Sequence, residues 1–482
     1  MKYNEAEARK LSVNRKKRRA RLKKKSIIRD LLTIIHSYFP FLITDLRNVK
    51  DPRYTNYTDY DISILLIERI MSAIFSIESM RSQTFEFNDE NMIKNIAMIL
   101  KKNLEELPHH DTINDCFEKL KPSELEGIIK KMILALIRRN TFKNSRVRGK
   151  YWQILIDGTT LTSFPHKHCN KCLYRRYKNK KGEVTSVEFY HYVLEAKLVL
   201  HENLVFSICS IFVDNEDGIP DEKELYSKEY DEPSYEKKKQ NCELNAFQDL
   251  AAKLKGMFPK LPICITADAL YPCKKVFEIC RKNGWRYILR FKEGCIPTLY
   301  ESYEATHTAK YKQQSFRKIV DEKKQEYFYA AGFTYEDYNI NFVECKETEL
   351  NPSEADKNKE EAKPFLFITD LAVARMNCES TVMFGRRRWK IENEGFKVQK
   401  RNGYYLKHMF SKNYNAMKIH YYLIQIAHAI SQLLENSTDL MEAARLSLKQ
   451  FHKNLLDTFK SNLLTTDDIL IAEVPQRIVL KY

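Results

Sequence analysis

The sequence predicts an α/β core held between helical regions, on three observations. Apolar residues recur at helical spacing from Ser26 to about Ser145, as in DISILLIERIMSAIFSIESM and NMIKNIAMILKKNLEEL. At Tyr151 the texture changes to short runs of β-branched and aliphatic residues: YWQILIDGTTL, EFYHYVLEAKLVL and NLVFSICSIFV, the last two joined by a turn at His201 to Asn203. Beyond Asp214 strand and helix patterns alternate, as they do in a sheet covered by helices.

The chain opens on a basic arm, residues 1–25. Of 482 residues, 81 are Lys or Arg and 64 are Asp or Glu, a net charge of +17, and residues 1–25 supply twelve of the cations against Glu5 and Glu7. The run RKKRRARLKKK from Arg15 to Lys25 has no apolar stretch behind it that would make a signal peptide. Its expected partner is a polyanion, with Arg15, Lys16, Lys17, Arg18 and Arg19 as contacts; the alternative is a solvated tail. No segment approaches about 18 uninterrupted apolar residues, so no membrane is expected.

Residues 26–145 read as helical, either a scaffold or a DNA-binding region, with Ser123 and Glu126 in the form of a capping box. Residues 146–292 form the first part of the core, in the order strand, strand, strand, helix, strand, helix, strand. Asp214 to Glu236 holds ten acidic residues and two lysines, an exposed acidic loop, and a helix follows from about Cys242 to Met257. LPICITADALY is the next strand, CKKVFEICRKNG an amphipathic helix and WRYILRF a strand. Residues 293–363 carry short candidate strands, FYAAGFTY and INFVECKE, and the charged linker NPSEADKNKEEAK, so this insertion is expected to be β-rich. Core texture returns over 364–435 with PFLFITDL and the helical runs MNCESTVMFGRRRWKIENEGFKVQKR and AMKIHYYLIQIAHAISQLLE. Residues 436–482 are a tail with a helix around Leu440 to Phe459.

Eleven scattered cysteines do not form a secreted disulfide framework and fit a reducing cytosol. Cys169 and Cys172 in HKHCNKC have ligand spacing, with His166 and His168 beside them, but no second CxxC completes a zinc set. A metal knuckle and a polar loop with free thiols both remain open.

Asp157 and Asp268 each close an apolar run, ILID and ICITAD, so each carboxylate is expected at the carboxyl end of a buried strand. A carboxylate there is costly unless it is hydrogen-bonded, paired or bound to a cation. The third candidate is Glu392 in RRRWKIENEGF, four residues after Arg388 and so on the same helix face. Three such carboxylates could hold two divalent ions for in-line displacement at phosphorus, and Mg²⁺ suits oxygen ligands.

IDGTTL around Asp157, ITADALY around Asp268 and RRWKIENEGFKVQK around Glu392 resemble the DDE transposases of bacterial insertion sequences. The resemblance runs from about Leu107 to Leu434. It is closest to the group with a β-rich insertion before the Glu and a last motif of Tyr, Arg, Glu and Lys. It implies an RNase H-like mixed-sheet core, Asp157, Asp268 and Glu392 as catalytic metal ligands, Arg388 on DNA phosphate, and Mg²⁺ with Mn²⁺ able to substitute. The chain departs from the motif twice. Gly385 stands where the family has Tyr, and Gln399 stands seven residues after Glu392, where it has Lys. Lys400 is favoured for that role and Lys397 is the alternative, although eight residues leave Lys400 about 80° off the face of a regular helix.

Tyr405, His408 and Asn413 either approach DNA or pack in a loop between helices, and Trp152 and Trp389 are either base-stacking or core residues. No GxxxxGK[ST] or GxSxG motif occurs, which leaves nucleotide hydrolysis and serine-hydrolase chemistry without support. The expected function is Mg²⁺-dependent strand cleavage and strand transfer at insertion-sequence ends. The expected partners are double-stranded DNA, as terminal inverted repeats and target, and a second copy in a homodimer on DNA, in the bacterial cytoplasm at the nucleoid. The alternatives are an RNase H-like nuclease without strand transfer and a non-catalytic DNA-binding protein derived from a transposase.

Overall fold

The computed structural model describes residues 15–215, 221–227, 235–350, 364–437, 447–474 and 478–480. The linker at 351–363, most of the acidic loop, and the start of the tail helix expected at Leu440 fall outside them. The chain divides into two compact units, Met1–Leu136 with Val398–Tyr482, and Ile137–Lys397. Among the described residues no helix is long and apolar enough to cross a membrane.

The first unit is helical. The basic run from Arg15 to Lys25 forms the first part of a 24-residue helix, Arg15–Tyr38. At the centre of the unit, helix Ile62–Ile74 packs against helix Tyr414–Glu435. Every residue of Ile62–Ile74 is buried, as expected of a helix apolar on nearly all sides. Asp61 caps it by accepting from the Ser63 amide at 2.9 Å, and Asn413 caps the partner helix.

The charged exceptions in that buried helix are Glu68 and Arg69. The Arg69 guanidinium donates to His420 Nδ1 at 3.0 Å and lies 4.0 Å from the centre of the Phe410 ring. The other imidazole nitrogen of His420 meets Asn114 Oδ1 at 3.0 Å. Burial lowers the His420 imidazole, so it stays neutral and presents Nδ1 as an acceptor. The helix expected to be capped by Ser123 begins one residue earlier, at Pro122, and Glu126 instead accepts a hydrogen bond from the Tyr422 hydroxyl.

Among the described residues, the second unit is built on a ten-stranded mixed sheet. Its strands are β1 (Trp152–Phe164), β2 (Leu173–Lys178), β3 (Val184–His201), β4 (Leu204–Val213), β5 (Ile263–Ala267), β6 (Arg286–Arg290), β7 (Ser315–Val320), β8 (Lys323–Tyr335), β9 (Tyr338–Glu349) and β10 (Phe365–Thr369). The order is β2-β3-β1-β5-β6-β10-β9-β8-β7, with β4 also paired to β3. β1, β5 and β6 run parallel, and β3 runs antiparallel to β1 and β4. The order β4-β3-β1-β5-β6, with helices Tyr235–Met257 and Lys274–Asn283 before and after β5, is the expected RNase H-like core.

The segment between Asp268 and Glu392 extends this same sheet. β10 joins β6, and β9, β8 and β7 follow as an antiparallel ladder. The segment also holds an 18-residue helix, Pro297–Gln314, among the strands expected there. The long helix expected from Met376 to Arg401 is broken. Helix Arg375–Arg386 stops at a turn, and after it Ile391–Lys397 is π-wound, followed by the α-helical turn Val398–Arg401.

Candidate active site

Asp157 and Asp268 are brought together by register. β1 pairs with β5 only from Trp152↔Ile263 to Leu155↔Thr266, and each Asp lies two residues past the last pair. They therefore stand at the same level on neighbouring parallel strands, whose backbones are separated by about 5 Å. The expectation that both end their strands holds for Asp268 and is corrected for Asp157. β1 continues to Phe164 because β3 still pairs with it there, and Asp157 sits opposite Glu195.

Gly158 lets a large side chain approach this point. A Cβ there would run into the ring and hydroxyl of Tyr192, which donates a hydrogen bond to the Glu243 carboxylate. Glu243 is a functional candidate that the motifs do not include. Its only signal in the sequence is a carboxylate beside the apolar stripe Ala246, Phe247, Leu250, Ala251 and Leu254 of its helix. Burial, with the nearby Asp268 and Glu243 carboxylates, pushes the Asp157 carboxyl up to about 7, against the opposing pull of Arg388 and the Gly158 amide. Asp268 accepts from the Leu270 amide at 2.9 Å.

The three consecutive arginines are divided among three carboxylates. Arg386 pairs with Glu347 on β9 at 3.0 Å, and Arg387 with Glu202 in the β3–β4 turn at 2.6 Å. Arg388 lies 3.9 Å from Asp157. Lys390 also reaches Glu202, at 2.8 Å, so that turn ties down the start of the Glu392 segment. Ile391 and Phe396 anchor the segment on Leu155, Val199 and Val205. Lys197 and Glu195 form a fully buried ion pair at 3.0 Å, with the ammonium 5.5 Å from the Phe396 ring.

Glu392 itself is exposed. The charges acting most strongly on Asp157 are those of Arg388, Asp268 and Glu243. Lys397 is exposed five residues on, at the end of the π-wound segment. Gln399, at the place of the family's Lys, is buried and donates to Gln425 Oε1 at 2.7 Å within the helical unit. Lys400 is half-buried in that unit. At Gly385, where the family has Tyr, a Cβ would meet the Phe367 ring of β10 at 2.7 Å, so this backbone leaves no room for a side chain.

Of the residues left open, Trp152 is core and Trp389 is 53% exposed, with the Arg388 guanidinium 5.4 Å from its ring centre. Asn413 is a helix cap, and the His408 ring contacts Phe410. The side chains of Arg15, Lys16, Lys17, Arg18 and Arg19 fall outside the described residues.

Residues 238–430 match the family model of the transposase DDE domain. This region is similar to transposase DDE domains. Asp268 and Glu392 lie inside the DDE-domain match and Asp157 lies before it, on the strand that pairs with the Asp268 strand. No curated protein matches the chain significantly. Among solved structures, the cryo-EM structure of a piggyBac transposase synaptic complex with hairpin DNA is similar at 10% identity, over 92% of this chain and 81% of that one, with a TM-score of 0.38.

Proposed function

We propose that the chain is an insertion-sequence transposase that cuts DNA at the ends of its element and joins the freed 3′-hydroxyl to target DNA. The observation that carries this reading is the level placement of Asp157 and Asp268 on parallel β1 and β5, with Arg388 against Asp157. The donor set fits a divalent cation: Asp157 and Asp268 are hard carboxylate ligands at one level on neighbouring strands, and burial, with the Asp268 and Glu243 charges, pushes the Asp157 carboxyl up to about 7. Asp157, Asp268 and Glu392 would hold Mg²⁺, or Mn²⁺ in its place. Bound there, a pair of such ions supplies an activated attacking hydroxyl and a stabilised leaving oxygen.

The protein's own residues do the rest. Arg388 leaves Asp157 for the scissile phosphate and neutralises charge that shifts in the transition state. Lys400, or Lys397 in its place, grips a neighbouring phosphate. The basic helix start from Arg15 to Lys25 supplies sequence-independent attraction to DNA, and the helical unit reads the terminal inverted repeats. Joining two ends calls for a homodimer on DNA.

The reading is tested by incubating DNA bearing the element's ends and a target plasmid with the full chain and Mg²⁺. Cleavage followed by strand transfer supports it. Cleavage without transfer supports the nuclease alternative, and binding without cleavage supports the non-catalytic one. Asp157→Ala, Asp268→Ala and Glu392→Ala should each lower cleavage by about 10³-fold or more, the several kcal/mol a metal contributes; retained cutting removes that residue from the site.

A further inference from the structure

A second cluster of ligand-type side chains lies away from the carboxylates. Cys169 and Cys172, in the connection from β1 to β2, meet His191 of β3. The two Sγ atoms are 3.6 Å apart, and His191 Nε2 is 3.6 Å from Cys169 Sγ and 3.7 Å from Cys172 Sγ. The thiols are too far apart for a disulfide, which needs about 2.05 Å. Their spacing agrees instead with the edges of a zinc tetrahedron: bonds of about 2.3 Å to sulfur and 2.0 to 2.1 Å to nitrogen put sulfurs about 3.8 Å apart and sulfur and nitrogen about 3.6 Å apart.

We propose that Cys169, Cys172 and His191 bind a structural Zn²⁺ ion. Two thiolates and an imidazole are soft and borderline ligands that select zinc over Mg²⁺. Cys172 and His191 are buried, which suits a closed structural site. His168, stacked on Phe164, has its ring centre 6.2 Å from that of His191. The ion ties the β1–β2 connection to β3 one residue before Tyr192, the side chain that covers Gly158 beside Asp157. This inference stands apart from the reading of the carboxylate site and survives its failure.

The deciding experiment is elemental analysis of the full chain, purified without chelator and freed of any affinity tag. The expected content is about one zinc per chain, falling at least tenfold in Cys172→Ser and His191→Ala. Because a variant can fail to fold, the parent chain stripped of metal is also titrated with Co²⁺. The absorption of a tetrahedral cobalt–thiolate site, displaced by zinc and left in place by excess Mg²⁺, is the result expected. A metal-free parent that gives no such spectrum, zinc retained in folded His191→Ala, or a Cys169–Cys172 disulfide in the purified chain overturns the site.

Discussion

Two clusters of ligating side chains in the sheet unit use the same strands in different ways. The carboxylates stand where parallel pairing of β1 with β5 stops, close enough that burial and like charge push the Asp157 carboxyl up to about 7. The thiol–imidazole cluster joins a loop to the buried middle of β3, with ligand atoms already at the edges of one tetrahedron. The first is a hard, charged and partly open site whose geometry a metal and substrate would complete. The second is soft, mostly buried and preformed. Ligand chemistry and burial together separate a site suited to reaction from one suited to holding the fold.

The separation between the clusters is strained hardest at Gly158. Gly158→Ala forces a Cβ into Tyr192 and is expected to cost about 1–3 kcal/mol, as overpacking does, read as a lower urea midpoint with unchanged zinc content. Loss of zinc in that variant would mean that the two clusters are not separable. Tyr192→Phe removes the hydroxyl that donates to buried Glu243 and should cost about 1–2 kcal/mol, measured in the same way.

A pH dependence comes next in size. Asp157 keeps its proton in the folded chain up to about pH 7, whereas the unfolded chain releases it near pH 4. Its contribution to stability therefore falls as pH rises from about 4 to 7 and is level above that. A divalent cation requires the carboxylate, so Mg²⁺ should raise the melting temperature more at pH 8 than at pH 6, and Asp157→Asn should erase that difference. Equal Mg²⁺ shifts at both pH values would contradict the assignment. The smallest effect on either cluster is expected from replacing Arg15, Lys16, Lys17, Arg18 and Arg19 by Gln. DNA binding should weaken and its salt slope should drop by about 0.9 for each phosphate no longer neutralised, with both metal sites unchanged.

Much of the core is legible in residue order. The apolar runs ending at Asp157 and Asp268 mark two strands and two carboxylates, because a charged residue closing a buried run is a local signal. β2 is not legible, since LYRRYK is half-exposed and charged, nor is helix Pro297–Gln314, which buries only Leu299 and Tyr303. The π-winding at Ile391–Lys397 is a hydrogen-bond shift with no side-chain periodicity of its own. His191 looks like one polar residue in an apolar strand, and only the fold brings it to Cys169 and Cys172, where the sequence offers His166 and His168 instead. The grouping of Val398–Tyr482 with the N-terminal helices is likewise tertiary information.

Zinc content and Mg²⁺-dependent DNA cleavage, measured on the same preparations of the parent and Asp157→Asn, would decide whether the carboxylates are the reactive cluster. Asp157→Asn should keep the parent's zinc and lose cleavage at every Mg²⁺ concentration. Cleavage at the parent rate would contradict the assignment of Asp157 to the reaction.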